Sequence, residues 1–261
     1  MLRLLGAAIV LAVLLLATSA SAFEASVKTL ESRPGVTESF LVVQPDGPPA
    51  ASVILFSGGD GVLSLKGYGP KWSHANFLVR SRDLFAAEGL LVAVLDVPSD
   101  HAPGYGRFRV SKDHARDVAA VIADLKALAP VPVWLVGTSK GTVSAAFVAG
   151  RLREGGPDGV VLTSSITERS RRTTDTVLDA DLAEIRVPTL IVHHKQDGCV
   201  STRYSSARLL LGQLTKAPRK DFVSVEGGIA VGDPCEPFAH HGYNGIEREV
   251  VRAIAAWIKS E

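Results

Sequence analysis

The chain has 261 residues, of which 46% are hydrophobic, and its 28 Lys and Arg against 27 Asp and Glu leave a formal net charge of +1. That balance provides no basic face for a phosphate backbone, so a nucleic-acid partner is not expected. The length suffices for one large core of the α/β kind.

The first residues read as an export signal. Arg3 precedes an apolar run over residues 4–17, and Ala20-Ser21-Ala22 supplies the small-residue cleavage pattern. The run is short for a bilayer span. Cleavage after Ala22 is expected to leave residues 23–261 as one domain, periplasmic or secreted, with no stable membrane insertion.

Strands are predicted at 23–30, 38–43, 52–56, 90–96, 131–136, 159–163, 189–193 and 221–225. Pro34-Gly35 marks a turn between the first two, which makes them antiparallel. From Ser52 onward the strands are unbroken apolar runs, as in a parallel sheet covered on both faces. Helical spacing appears between them. Val118, Val121, Ile122 and Leu125 form one stripe, stopped by Pro130. Ala207, Leu210, Leu211 and Leu214 form another, and Val250, Ile254, Trp257 and Ile258 a last one. A further helix is predicted over 76–88, closed by Gly89. Strands alternating with helices imply right-handed βαβ units.

Residues 133–148 organise this pattern. They read as a buried strand, the turn Gly137-Thr138-Ser139-Lys140-Gly141, and a helix of small apolar residues. This is G-x-S-x-G between strand and helix. A serine on so sharp a turn sits in strained backbone, and Gly137 and Gly141 leave the room it needs. The following helix directs its first N–H groups at the same spot.

Eight strands with Ser139 after the fifth resemble the α/β-hydrolase superfamily, in particular serine esterases of the dienelactone hydrolase type without a large lid. The resemblance implies a mostly parallel eight-stranded sheet with helices on both faces. It places an acid after the seventh strand and a histidine after the eighth, which selects Asp197 and the pair His240-His241. The run His241-Gly242-Tyr243 favours His241. Glu168 and Asp233 are the reserve acids, and His193 and His194 read as strand-end residues. Acyl transfer needs these groups together, because a Ser hydroxyl must lose its proton to an imidazole braced by a carboxylate.

The oxyanion hole is expected from the N–H groups of Lys140 and Gly59, the latter in Ser57-Gly58-Gly59-Asp60-Gly61, where Ser57-Gly58 replaces the His-Gly of related proteins. The Lys140 side chain is expected to face solvent. That glycine-rich loop fits neither phosphate-binding fingerprint, and two adjacent histidines without spaced partners make no metal motif, so no cofactor or metal is expected. Cys199 and Cys235, an even count in an exported chain, are expected to form one disulfide tying the acid loop to the base loop.

The substrate is expected to be a small-molecule ester or related acyl compound. Only residues 164–188 separate the sixth and seventh strands, so a shallow, open site is expected. Trp72, Phe77 and the 98–113 connection (His101, Pro103, Gly104, Tyr105, Gly106, Phe108) are candidates for its lining. Amide cleavage is an alternative. So is a non-catalytic binding protein on the same scaffold, since fold alone does not fix function.

Overall fold

The computed structural model describes residues 23–65, 75–171 and 173–260. The proposed signal at 1–22 and the lining candidate Trp72 lie outside them. Eight strands form one sheet in the order β1-β2-β4-β3-β5-β6-β7-β8. They are β1 (Ala25–Arg33), β2 (Val36–Val43), β3 (Ala51–Phe56), β4 (Leu90–Leu95), β5 (Val133–Thr138), β6 (Gly159–Thr163), β7 (Thr189–His194) and β8 (Lys220–Val225). The β1–β2 and β2–β4 pairings are antiparallel and the rest parallel. Strands β3, β4, β5, β6 and β7 are buried throughout, which is why they read as continuous apolar runs.

The helices are α1 (Phe77–Arg80), α2 (Arg82–Ala87), α3 (Lys112–Leu128), α4 (Gly141–Arg151), α5 (Tyr204–Gln213) and α6 (Glu247–Ile258). One side of the sheet packs against Val118, Val121, Ile122 and Leu125 of α3, Ala145 and Val148 of α4, and Leu210 of α5. The other side packs against Phe77, Phe85, and Val250 and Ile254 of α6. Both faces are therefore covered, as the parallel strands require. The helix predicted over 76–88 is in fact two. Ser81 leaves helical geometry at φ −96° and ψ 3°, ending α1 and opening α2. β1 also runs past its predicted end. Its last residues are polar, and α3 holds them: Arg33 Nε donates to Asp117 at 2.8 Å and Ser32 Oγ to the same carboxylate at 2.5 Å.

Beside this anchor, Glu38 on β2 is fully buried, and neither carboxyl oxygen has a side-chain partner among the described residues. Loss of solvent, then the nearby Asp117 charge, push its carboxyl up to about 9 from an ordinary 4.5. It is protonated in the folded state at neutral pH and ionised in the unfolded one. Its contribution is complete below pH 4.5 and is lost as pH rises toward 9, by about 1.4 kcal/mol per unit. Glu38→Gln is accordingly expected to gain stability over wild type progressively between pH 5 and 9 in urea unfolding. A gap that stays constant with pH would contradict this.

Candidate active site

The C-terminal ends of β3, β5 and β7 and the long connection after β8 meet over one cavity of about 1040 Å³. Ser139 stands at the end of β5 with φ 52°, the left-handed backbone expected of an elbow. The glycines two residues to either side tolerate no side chain. A Cβ on Gly137 would lie 2.4 Å from the Gly141 carbonyl oxygen, and one on Gly141 only 2.0 Å from that of Phe56. The turn is pinned from both sides. The Ser139 N–H donates to the Thr163 carbonyl at 3.1 Å, and its own carbonyl accepts from Thr142 N at 2.9 Å and Thr142 Oγ1 at 2.6 Å.

Asp197 follows β7 in a tight turn. Its Oδ1 accepts from Cys199 N at 3.0 Å, and its Oδ2 from Thr202 Oγ1 at 2.9 Å and His241 Nδ1 at 3.1 Å. His193 Nε2 lies 3.5 Å from the same oxygen while donating to the Thr202 carbonyl at 2.7 Å. Burial raises the Asp197 carboxyl, but the His193 and His241 rings outweigh it and hold the group below the usual carboxylate range. An ionised Asp197 requires the proton of the neutral His241 ring to sit on Nδ1. Nε2 is then the free, basic nitrogen on the opposite edge of the ring.

His241, not His240, is the imidazole that meets the acid. His240 instead stacks on His194 at 4.4 Å between centroids. The reserve acids are engaged elsewhere: Glu168 accepts from Ser206 Oγ at 2.7 Å and Asp233 from Cys235 N at 2.8 Å. Ser164 and Tyr243 fix the His241 backbone. Ser164 Oγ donates to the His241 carbonyl at 2.8 Å, and the Tyr243 hydroxyl accepts from Ser164 N and donates to the Val192 carbonyl, each at 2.9 Å. Ser139 and His241 line the same cavity, yet no hydrogen bond joins their side chains among the described residues. Such contacts are commonly loose before substrate binds.

Gly59 (φ 60°) and Lys140 also line the cavity, and neither N–H donates to a described acceptor, which leaves both free for a bound oxygen. The Lys140 side chain does not simply face solvent. Its Nζ lies 3.7 Å from Asp60 Oδ1, linking the elbow to the glycine loop. Behind that loop sits Arg109, only 3% exposed. Its Nη2 donates to the carbonyls of Ser57 and Gly59, both at 3.2 Å, and its guanidinium covers the Tyr105 ring at 4.5 Å. Loss of solvent brings Arg109 down to about 10, still cationic at neutral pH.

One expectation is corrected here. None of His101, Pro103, Gly104, Tyr105, Gly106 or Phe108 lines the main cavity, although Phe77 does. The 98–113 connection packs behind the glycine loop instead, where Tyr105 N donates to the Asp60 carbonyl at 2.9 Å and the Tyr105 hydroxyl to that of Asp96. Part of the cavity wall comes from residues 231–238 after β8, a segment with no helical or strand periodicity to announce it.

Cys199 and Cys235 form the expected disulfide, closing a separation of 36 residues. The chain-entropy model assigns such a loop about 4 kcal/mol. Because Cys199 N also holds Asp197, Cys199→Ser with Cys235→Ser is expected to lower the melting temperature and turnover together. Unchanged values of both would remove the disulfide from the account.

Thr202, Arg109 and the clamp of Ser164 on His241 were not legible beforehand. A hydroxyl five residues past Asp197 is the one signal present, and it is a weak one.

The sheet order, the elbow after β5 and the loops after β7 and β8 give this chain the α/β-hydrolase fold. No protein-family model and no curated protein matches the sequence. Solved structures do match. An esterase of Pyrococcus furiosus superposes with a TM-score of 0.64 at 13% identity, covering 91% of this chain and 92% of that one. A cold-adapted esterase from an Arctic intertidal metagenomic library gives 0.58 at 16%, covering 89% and 93%. A serine hydrolase without a lid from Xanthomonas campestris gives 0.58 at 16%, covering 88% and 95%. Identities this low establish the fold and leave the chemistry to the site.

Proposed function

We propose that this chain is an exported serine hydrolase that cleaves carboxylic esters carrying an apolar arm. The observation that carries the reading is the 3.1 Å contact of His241 Nδ1 with Asp197 Oδ2, on a ring that shares its cavity with a strained Ser139. In this reading His241 Nε2 takes the Ser139 proton as Oγ attacks the carbonyl carbon. The N–H groups of Gly59 and Lys140 receive the resulting oxyanion. The protonated imidazole then gives its proton to the departing alkoxide, and water repeats the sequence to release the acid. The activities named for the esterase neighbours agree with this chemistry.

The apolar arm is inferred from the cavity mouth. Val200, Val231 and Phe238 are 61%, 57% and 48% exposed, and all three line the cavity. Apolar side chains left in water beside a polar centre suit a substrate that covers them. Export rests on the sequence of residues 1–22 and agrees with the disulfide; among the described residues no helix is long and apolar enough to cross a membrane.

One observation favours a second reading, a binding protein on this scaffold: the missing Ser139–His241 hydrogen bond. A panel of p-nitrophenyl esters of increasing chain length against peptide anilides decides. The proposal expects ester turnover that improves with chain length and little anilide cleavage. Inertness toward every ester supports the binding reading, and preferential anilide cleavage indicates a peptidase.

A further inference from the structure

We infer that Asn76 is a further catalytic residue of this site, its side-chain amide donating a hydrogen bond to the oxyanion alongside the two backbone N–H groups. The inference rests on the hydrolase reading above and adds a group that neither the elbow motif nor the glycine loop contains.

The geometry centres on the empty space over Gly58. A Cβ built there would lie 3.0 Å from Ser139 Cβ, 3.2 Å from Asn76 Nδ2 and 3.3 Å from the Thr138 carbonyl oxygen. The nucleophile and the amide thus flank one small volume, and the absence of a side chain at Gly58 keeps it open. The orientation of the amide is settled by chemistry. Asn76 caps α1, and its Oδ1 accepts from Leu78 N at 3.2 Å. An oxygen must face that N–H, so the NH2 group is the end turned toward Gly58. Among the described residues, Nδ2 has no acceptor. Asn76 also lines the cavity.

The support for Asn76 is rigid, as a transition-state donor requires. Its carbonyl accepts from Arg80 N at 2.9 Å. Arg80 reaches on to Glu247 at 2.9 Å and to the Gly242 carbonyl at 2.6 Å, beside His241. Phe77 packs on Tyr243 at 4.7 Å between centroids. The segment bearing the amide is therefore tied to the segment bearing the base.

In the step proposed, a bond forms between Ser139 Oγ and the carbonyl carbon. The C=O π pair moves to oxygen, and the Oγ proton passes to His241. The negative charge grows on the oxygen, where Nδ2–H meets it. When the tetrahedral intermediate collapses, that pair re-forms C=O and the alcohol leaves with the proton from His241. A donor aimed at the oxyanion acts on kcat more than on ground-state binding.

Capping and catalysis are separated by Asn76→Asp and Asn76→Ser. Both residues cap helices well and both lack the amide donor. The proposal expects melting temperatures close to wild type and kcat on an activated ester lowered about 10²- to 10³-fold. It expects KM to change only a few-fold, and a trifluoromethyl ketone analogue to lose affinity in proportion to kcat. If Asn76 only caps α1, Asn76→Ser keeps wild-type kcat and analogue affinity, and the proposal is overturned; Asn76→Asp, whose charge by itself repels an oxyanion, serves only as the control for the cap. If the hydrolase reading itself fails, the wild type is inert and Ser139→Ala changes nothing, an outcome distinct from active Asn76 variants.

Discussion

Ser139→Ala is expected to lower turnover of an activated ester by about 10⁶-fold while leaving the melting temperature near that of wild type. The size of the effect follows from what the hydroxyl does. Without it, no acyl-enzyme forms, and the cavity retains only the modest help that its N–H donors give to attack by water. The effect on folding is small because the strain lies in the backbone, which the surrounding groups impose. Gly137 and Gly141 allow the close approach, and the bonds to Thr163 and Thr142 hold the turn whether residue 139 carries a hydroxyl or a methyl. A purified, folded Ser139→Ala protein with more than a hundredth of wild-type turnover would place the chemistry on another residue.

Asp197→Asn is expected to cost about 10⁴-fold in kcat, the scale found when a triad carboxylate is replaced by an amide. The carboxylate accepts from Cys199 N, Thr202 Oγ1 and His241 Nδ1 at once. An amide supplies one acceptor oxygen and one donor nitrogen. If the oxygen keeps Cys199 N, the nitrogen faces His241 Nδ1 and drives the ring proton to Nε2, the edge that must accept from Ser139. Thr202→Val, which removes a donor to Asp197 and spares the charge, is expected to cost far less. The pH dependence has a definite sign. The Asp197 carboxyl is held below its ordinary range, so its stabilising contribution is present above pH 4 and is lost on acidification through the lower value. Stability of Asp197→Asn is therefore expected to fall less steeply in acid than that of wild type.

What was legible in the sequence was whatever steric necessity writes into a short stretch. The elbow is one case, since its glycines are demanded by contacts with Gly141 and Phe56 that nothing larger can make. The buried strands are another, because two covered faces favour apolar side chains along nearly their whole length, the polar exceptions standing mostly at strand ends, as Thr138, Thr163, His193 and His194 do. His241 was separable from His240 only through the glycine and aromatic residue after it; in space the reason is that His240 is taken up by stacking on His194. Beyond Phe77 and the groups of the elbow and glycine loop, the walls of the cavity were not legible. Tyr105 turns inward, where its ring lies under Arg109, a buried cation that also holds the glycine-loop carbonyls, while Phe108 is taken up by His101 and Arg33. A further part of the wall, residues 231–238, is an aperiodic segment held by a disulfide and turns, and such segments carry no pattern of burial. Asn76 was hidden for a similar reason: as a helix cap it reads as local structure, and only the fold brings its amide beside Ser139.

The claim on which the rest depends is that Ser139 is a nucleophile activated by His241. Labelling the purified, disulfide-intact protein with a fluorophosphonate, followed by intact-mass and peptide analysis, tests it most directly. The account predicts one adduct per chain, located on the peptide containing Ser139, absent from Ser139→Ala and formed far more slowly by His241→Ala. A folded wild-type protein that takes up no probe, or a Ser139→Ala variant labelled as fast as wild type, would contradict it.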